Sequence, residues 1–240
     1  MTENATTDKT VPLLLNIEAA TGICSVCISR GMELLSKHDS TEPNEHSKVI
    51  TLLIQRCVED AGIELGDLDA VALSEGPGSY TSLRVGFSTA KGICYALSKP
   101  LITVSTLAAL ARAAYEEAQD AQALYCAMID ARRMEVYAGL YSATGRALMQ
   151  PQPLVIDEQS FSAEFLAGRR IFFCGNGAAK CEALLSHPLA SLSGIKNCDS
   201  VQIFPIAINA FLNKNFADTA YTVPTYLKAP NITKSRQKPS

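Results

Sequence analysis

The patterning of this chain predicts a two-lobed α/β fold whose mixed sheets are flanked by helices. Short β-branched runs open the chain in succession, and strands then alternate with amphipathic helices. Size agrees, since 240 residues with 48% hydrophobic content can bury one large core or two modest ones.

Leu13 to Glu18 is a nearly continuous apolar run ending in Glu18-Ala-Ala-Thr-Gly22, and Ile23 to Ser29 follows as the second strand of a hairpin. Gly31 turns the chain into a third strand, Met32 to Ser36. After the Pro43-Asn44 breaker, Val49, Ile50, Leu53, Ile54, Cys57, Val58 and Ala61 recur at helical spacing, so a helix runs from His46 to Ala61. Leu52 lies off that stripe and marks its side for an additional contact. Asp69 to Ser74 reads as a buried strand bounded by Gly66-Asp67 and Gly76-Pro77-Gly78. Ser79 then caps a long helix that Pro100 stops, Leu101 to Val104 is a strand, and Ser105 caps an alanine-rich helix from Leu107 to about Ala118. Three antiparallel strands followed by alternating helices and strands suit the ribonuclease-H-like unit of the actin/sugar-kinase-like fold.

In the second half, Ala123 to Ile129 and Glu135 to Tyr141 read as strands joined through Asp130-Ala-Arg-Arg133. Ile171 to Cys174 is a strand, Gly175-Asn-Gly177 a turn, Ala178 to Leu185 a helix, and Val201 to Leu212 a last amphipathic helix. The expected organisation is an N-terminal lobe over 12–107, a reduced C-terminal lobe over 108–228, and tails at 1–11 and 229–240. No internal repeat is visible in the sequence.

A formal net charge of −3 argues against a chain that holds nucleic acid by itself, which would need a basic face. The basic cluster Lys228, Lys234, Arg236 and Lys238 reads as a solvated tail. The polar start MTENATTDKT is unlike a secretory signal, and no apolar run reaches the roughly 18 residues of a membrane span, so a soluble cytoplasmic protein is expected. Eight cysteines scattered through apolar segments read as reduced thiols. Cys24 and Cys27 form a C-x-x-C inside a strand, where residues three apart point to opposite faces, which favours core packing over metal or redox chemistry.

Gly76, Gly78 and Ser79 form a phosphate-loop-like turn at which helix amides can hold an anion, and the same residues make a good strand-to-helix turn with no ligand. In the helix that follows, Ser82, Gly86 and Ala90 lie four apart; interior glycine costs about 1 kcal/mol, so another backbone must come close, either the chain's own sheet or a partner's helix. The turn after Glu18 has alanines where a phosphate-binding loop wants glycines, and suits triphosphate poorly. Gly175-Asn-Gly177-Ala-Ala-Lys180 is a possible matching loop or a plain turn. Asp130, Arg132, Arg133 and Glu135 read as a structural ion-pair cluster ahead of a solvated loop or catalysis. His38, His46 and His187 are far apart with no second ligand at helical spacing, so no metal is expected. His46 reads equally as a contact residue or a solvated helix end.

Leu14 to Thr21, Ser74-Glu-Gly-Pro-Gly-Ser-Tyr-Thr81 with Leu83-Arg-Val-Gly86, Ala90-Lys-Gly92, Pro100 to Leu107 and Ile129-Asp-Ala-Arg-Arg133 with Glu135-Val-Tyr137 together resemble the TsaB family of bacterial tRNA threonylcarbamoyladenosine biosynthesis proteins. The resemblance is strong from residue 12 to about 142 and loose beyond. It implies a non-catalytic scaffold that supports threonylcarbamoyl transfer to tRNA by binding the catalytic relative TsaD and recruiting the ATPase TsaE. Two histidines four apart hold the metal in TsaD; Thr106 and Leu110 stand at those positions here, so the resemblance implies a pseudo-enzyme without cofactor. Glu18 replaces the more usual aspartate, and Ser82 the frequent glycine. The resemblance further implies a partner surface on the two helices after residue 46, comprising His46, Val49, Ile50, Leu53, Ser82, Val85, Gly86, Thr89 and Ala90, with homodimerisation when TsaD is missing and tRNA met only through the complex. The rival readings are an active small-metabolite kinase, a peptidase, and a structural module with unrelated partners.

Overall fold

The computed structural model describes residues 11–42, 46–132, 135–157 and 159–228. Sheet A contains β1 (Leu13–Glu18), β2 (Cys24–Arg30), β3 (Glu33–Ser40), β4 (Ala70–Gly76) and β5 (Leu101–Ser105) in the spatial order β3-β2-β1-β4-β5. Its helices are α1 (His46–Ala61), α2 (Tyr80–Leu97) and α3 (Thr106–Ala118). Sheet B contains β6 (Leu124–Asp130), β7 (Glu135–Ser142), β8 (Ala147–Val155), β9 (Ile171–Cys174) and β10 (Ala190–Leu192) in the order β10-β9-β6-β7-β8, with α4 (Ser162–Leu166), α5 (Asn176–Cys181) and α6 (Ser200–Leu212).

The two halves repeat one topology. In each, three strands pair antiparallel, the first also pairs parallel with the fourth, and the fourth with the fifth. The element order, three strands and then helix-strand-helix-strand-helix, is the same in both. The expected ribonuclease-H-like unit is therefore present twice, a repeat carried by the backbone and invisible in the residues.

Strand alternation divides the apolar side chains into three cores. Leu13, Leu15 and Ile17 of β1 face Ile50, Leu53, Ile54 and Cys57 of α1 and Phe87, Ala90 and Cys94 of α2. Leu124, Cys126 and Met128 of β6 pack on the opposite outer face with Ala178 and Cys181 of α5. Between the sheets lies a shared core: Leu14, Ala72 and Ile102 of sheet A, Tyr125, Ala127 and Ile129 of sheet B, Leu107 and Leu110 of α3, and Ile203, Phe204 and Ala207 of α6. The result is five layers, helix, sheet, helix, sheet, helix.

Cap chemistry fixes the helix starts. Ser79 and Ser105 accept from the amides of Ser82 and Ala108, and Asp199 accepts from Val201 at 2.8 Å within a capping box with Gln202. Cys24 and Cys27 fall in the outer and the shared core respectively, and all eight cysteines are buried and free. Burial pushes both the Cys24 and the Cys27 thiol up to about 12. No helix among the described residues is long and apolar enough to cross a membrane.

Candidate functional site

The ends of β1, β4, β6 and β9 bring four turns to one side of the molecule. At the end of β1, Glu18 is fully buried and its side chain folds back on its own turn: Oε1 accepts from Ala20 N at 2.6 Å and Thr21 N at 3.1 Å. Ala19 N donates to Ser74 Oγ at 3.3 Å. Burial raises the Glu18 carboxyl from 4.5 to about 7, against the opposing hydrogen bonds from the Ala20 and Thr21 amides. The amides that would have to meet a phosphate are thus engaged by a carboxyl.

The β4–α2 turn seats directly on that hairpin. Ser79 N donates to Ala20 O at 2.8 Å, and a Cβ on Gly78 would lie 2.1 Å from the same oxygen, so only glycine fits. Ser82 Oγ also donates to Ser79 Oγ at 2.9 Å. Gly76 is buried beneath Thr225.

Sheet B repeats the construction. A Cβ on Gly175 would lie 2.1 Å from Met128 O, which forces the β9–α5 turn against the end of β6. Asp130 N donates to Asn176 Oδ1 at 2.9 Å, and Arg132 N donates to Asp130 Oδ1 at 2.8 Å. Lys180 Nζ bonds Asp130 Oδ1 at 2.5 Å and Glu135 O at 2.8 Å, while Lys228 pairs with Glu135. Partial burial pushes the Asp130 carboxyl up, but the Lys180 hydrogen bond and charge and the Arg132 amide hold it below its ordinary value. The lysine of the Gly175–Lys180 segment therefore serves a carboxylate of the chain. The two acids of the expected ion cluster are paired, with Lys180 and Lys228 as their cations; Arg132 is exposed and contributes its amide, and Arg133 lies outside the described residues.

The proposed partner residues divide by burial. Ile50, Leu53 and Ala90 are core residues, at most 4% exposed, and Ser82 and Gly86 are also buried. These five are corrected from surface to interior: the stripe that marks a helix as amphipathic is the one its own sheet covers. The backbone that approaches Gly86 belongs to this chain, since a Cβ there would meet Ala19 Cβ at 3.3 Å. Val49, Val85 and Thr89 are half-buried and reach the surface; the side chain of His46 lies outside the described residues. The outward face of α2 carries Tyr80, Thr81, Arg84 and Ser88, which with Val85 and Thr89 line a shallow groove of about 370 Å³. Arg84 sits over the Tyr80 ring at 5.0 Å. Tyr95 is 87% and Leu52 52% exposed. Of these, Leu52 was legible as the residue off the stripe; Tyr80, Arg84 and Tyr95 had no periodic signal to mark them.

Thr106 and Leu110 are fully buried on α3 in the layer between the sheets, and neither side chain offers a metal a nitrogen, sulfur or carboxylate ligand. Among the described residues no three His, Cys, Asp or Glu converge as a metal centre requires.

Two halves of one topology, packed on a shared layer of helices and each with its own pair of seated turns, define an actin/sugar-kinase-like protein. The TsaD family model, described as tRNA N6-adenosine threonylcarbamoyltransferase, matches residues 40–233, and the chain belongs to that family, with TsaB proteins as its curated relatives. It is 37% identical over 129 residues to the TsaB of Haemophilus influenzae, covering 52% of this chain and 51% of that protein. It is 26% identical to the TsaB of Bacillus subtilis over 90% of this chain and 93% of the relative. The chain spans about half the length of the first of these relatives. YeaZ from Pseudomonas aeruginosa superposes with a TM-score of 0.79 at 27% identity, over 90% of this chain and 100% of that one.

Proposed function

We propose that this chain is a non-catalytic scaffold subunit for threonylcarbamoyl transfer to the tRNA adenosine next to the anticodon, binding and stabilising TsaD and recruiting TsaE. The observation that carries this reading is the occupied β1–β2 turn. Glu18 Oε1 holds the Ala20 and Thr21 amides, and a phosphate brought there would meet a buried acid instead of free donors. The surface left outward by α1 and α2 supports a docking role, since Tyr80, Arg84 and Tyr95 are of the types that anchor interfaces and Leu52 adds exposed apolar surface beside them.

In this reading the chain alone is inactive, takes no cofactor, meets tRNA only through the complex and pairs with itself when TsaD is missing. It works in the cytoplasm, with 12–107 as the partner lobe and 108–228 as its support. Reconstitution tests it: TsaD, TsaE, threonine, bicarbonate, ATP and tRNA are combined with and without the chain, and the modified nucleoside is measured by mass. Modification should require the chain. Turnover or tight magnesium-ATP binding by the chain in isolation overturns the proposal.

A further inference from the structure

After α6 the chain returns across the molecule as a strap. Ala217 N donates to Leu101 O at 2.8 Å on the outer edge of sheet A. Lys91 Nζ, from α2, then donates to the carbonyls of Ala220 and Thr222, both at 3.0 Å. Thr225 N donates to Glu75 O at 2.8 Å, and the Tyr226 ring lies 5.0 Å from that of Tyr80. These contacts all fall on the first half. The next fixing point is Lys228, whose ammonium pairs with Glu135 at the start of β7 in the second half.

The strap therefore crosses from the β4–α2 turn to the edge of the β6–β7 turn. It covers Gly76, where a Cβ would come within 3.2 Å of Thr225 O. Its attachment is mostly polar: Tyr221 and Val223 point to solvent, and Pro224 is its buried apolar residue past Ala217. A segment held by a few surface hydrogen bonds and a partly exposed ion pair has a low opening free energy, whereas the sheets themselves are held by the helical layer between them.

We propose that residues 217–228 form a latch between the two halves, fixed at Glu75 by Thr225 and at Glu135 by Lys228. Release at Lys228 frees the strap from the second half and loosens its cover over Gly76, while the middle helices keep the sheets in place. Nothing in this depends on the scaffold reading.

Amide hydrogen exchange on the full chain tests the latch with Lys228→Glu, Glu135→Lys and the double charge reversal. Each single variant should speed exchange about two- to fivefold in peptides covering 76–83 and 135–141, the range a partly exposed ion pair supplies, and leave peptides from α1 unchanged. The double variant should restore both peptides. Unchanged exchange in the single variants, no rescue in the double, or a rise that extends to α1 each overturns the latch.

Discussion

Glu18→Gln isolates the most perturbed carboxyl of the site. Burial raises Glu18 from 4.5 to about 7 in the folded chain. A shift of that size corresponds to about 3 kcal/mol between the protonated and ionised forms. Because the folded-state value is the higher one, this stability is fully present below pH 4.5 and is lost as pH rises through 7. Glutamine keeps an oxygen for the Ala20 and Thr21 amides but does not titrate. Its NH₂ takes the place of Oε2, which has no hydrogen-bond partner among the described residues, so the variant gives up some stability at low pH. The quantity to follow is the difference between the two proteins. Urea denaturation at intervals from pH 4 to pH 8 should show the wild type losing about 3 kcal/mol relative to the variant, roughly 6–12 °C in Tm for a chain of this size. Parallel curves for the two proteins would refute the reasoning, because they would mean that Glu18 ionises as easily folded as unfolded.

Gly78→Ala and Gly175→Ala each drive a Cβ to 2.1 Å from a carbonyl oxygen, so each should destabilise by on the order of 3–5 kcal/mol in chemical denaturation. Gly86→Leu should impair folding through its collision with Ala19, whereas Arg84→Glu should keep the unfolding midpoint and weaken TsaD co-purification roughly tenfold. Lys180→Ala removes the cation beside Asp130 and should cost about 1 kcal/mol or less at neutral pH, given the exposure of the pair. Because the Asp130 carboxyl is held low, that gap should close as the pH falls below the usual carboxylate range, which denaturation at pH 3 and pH 7 can measure.

Much of the first half was legible because its physics is local. β1 is buried on both faces and reads as a nearly continuous apolar run, α1 has a clean stripe, and Ser79 and Ser105 cap where their residue type says they should. β8 escaped notice because Pro151 and Pro153 interrupt it; both are tolerated since β8 is an edge strand paired with β7 alone. β10, with three residues, is too short to carry a pattern. The site was harder to read for a different reason. Periodicity finds the face a helix buries, so it selected Ile50, Leu53 and Ala90, while the outward Arg84 and Tyr95 are aperiodic. Lys180 as the counter-ion of Asp130 depends on β6 and β9 being neighbours, a contact across 50 residues that no local motif encodes.

The layer between the sheets makes the two halves interdependent. α3 closes the first repeat in sequence yet packs against β6, β7 and β9, and α6 closes the second yet packs against β1, β2, β4 and β5. A polypeptide severed after Ala118 would leave Leu14, Ala72 and Ile102 facing water on one fragment and strip Tyr125 and Ile129 of their cover on the other. Neither piece is self-sufficient, and the natural expectation is fragment complementation: two halves that become ordered only on meeting.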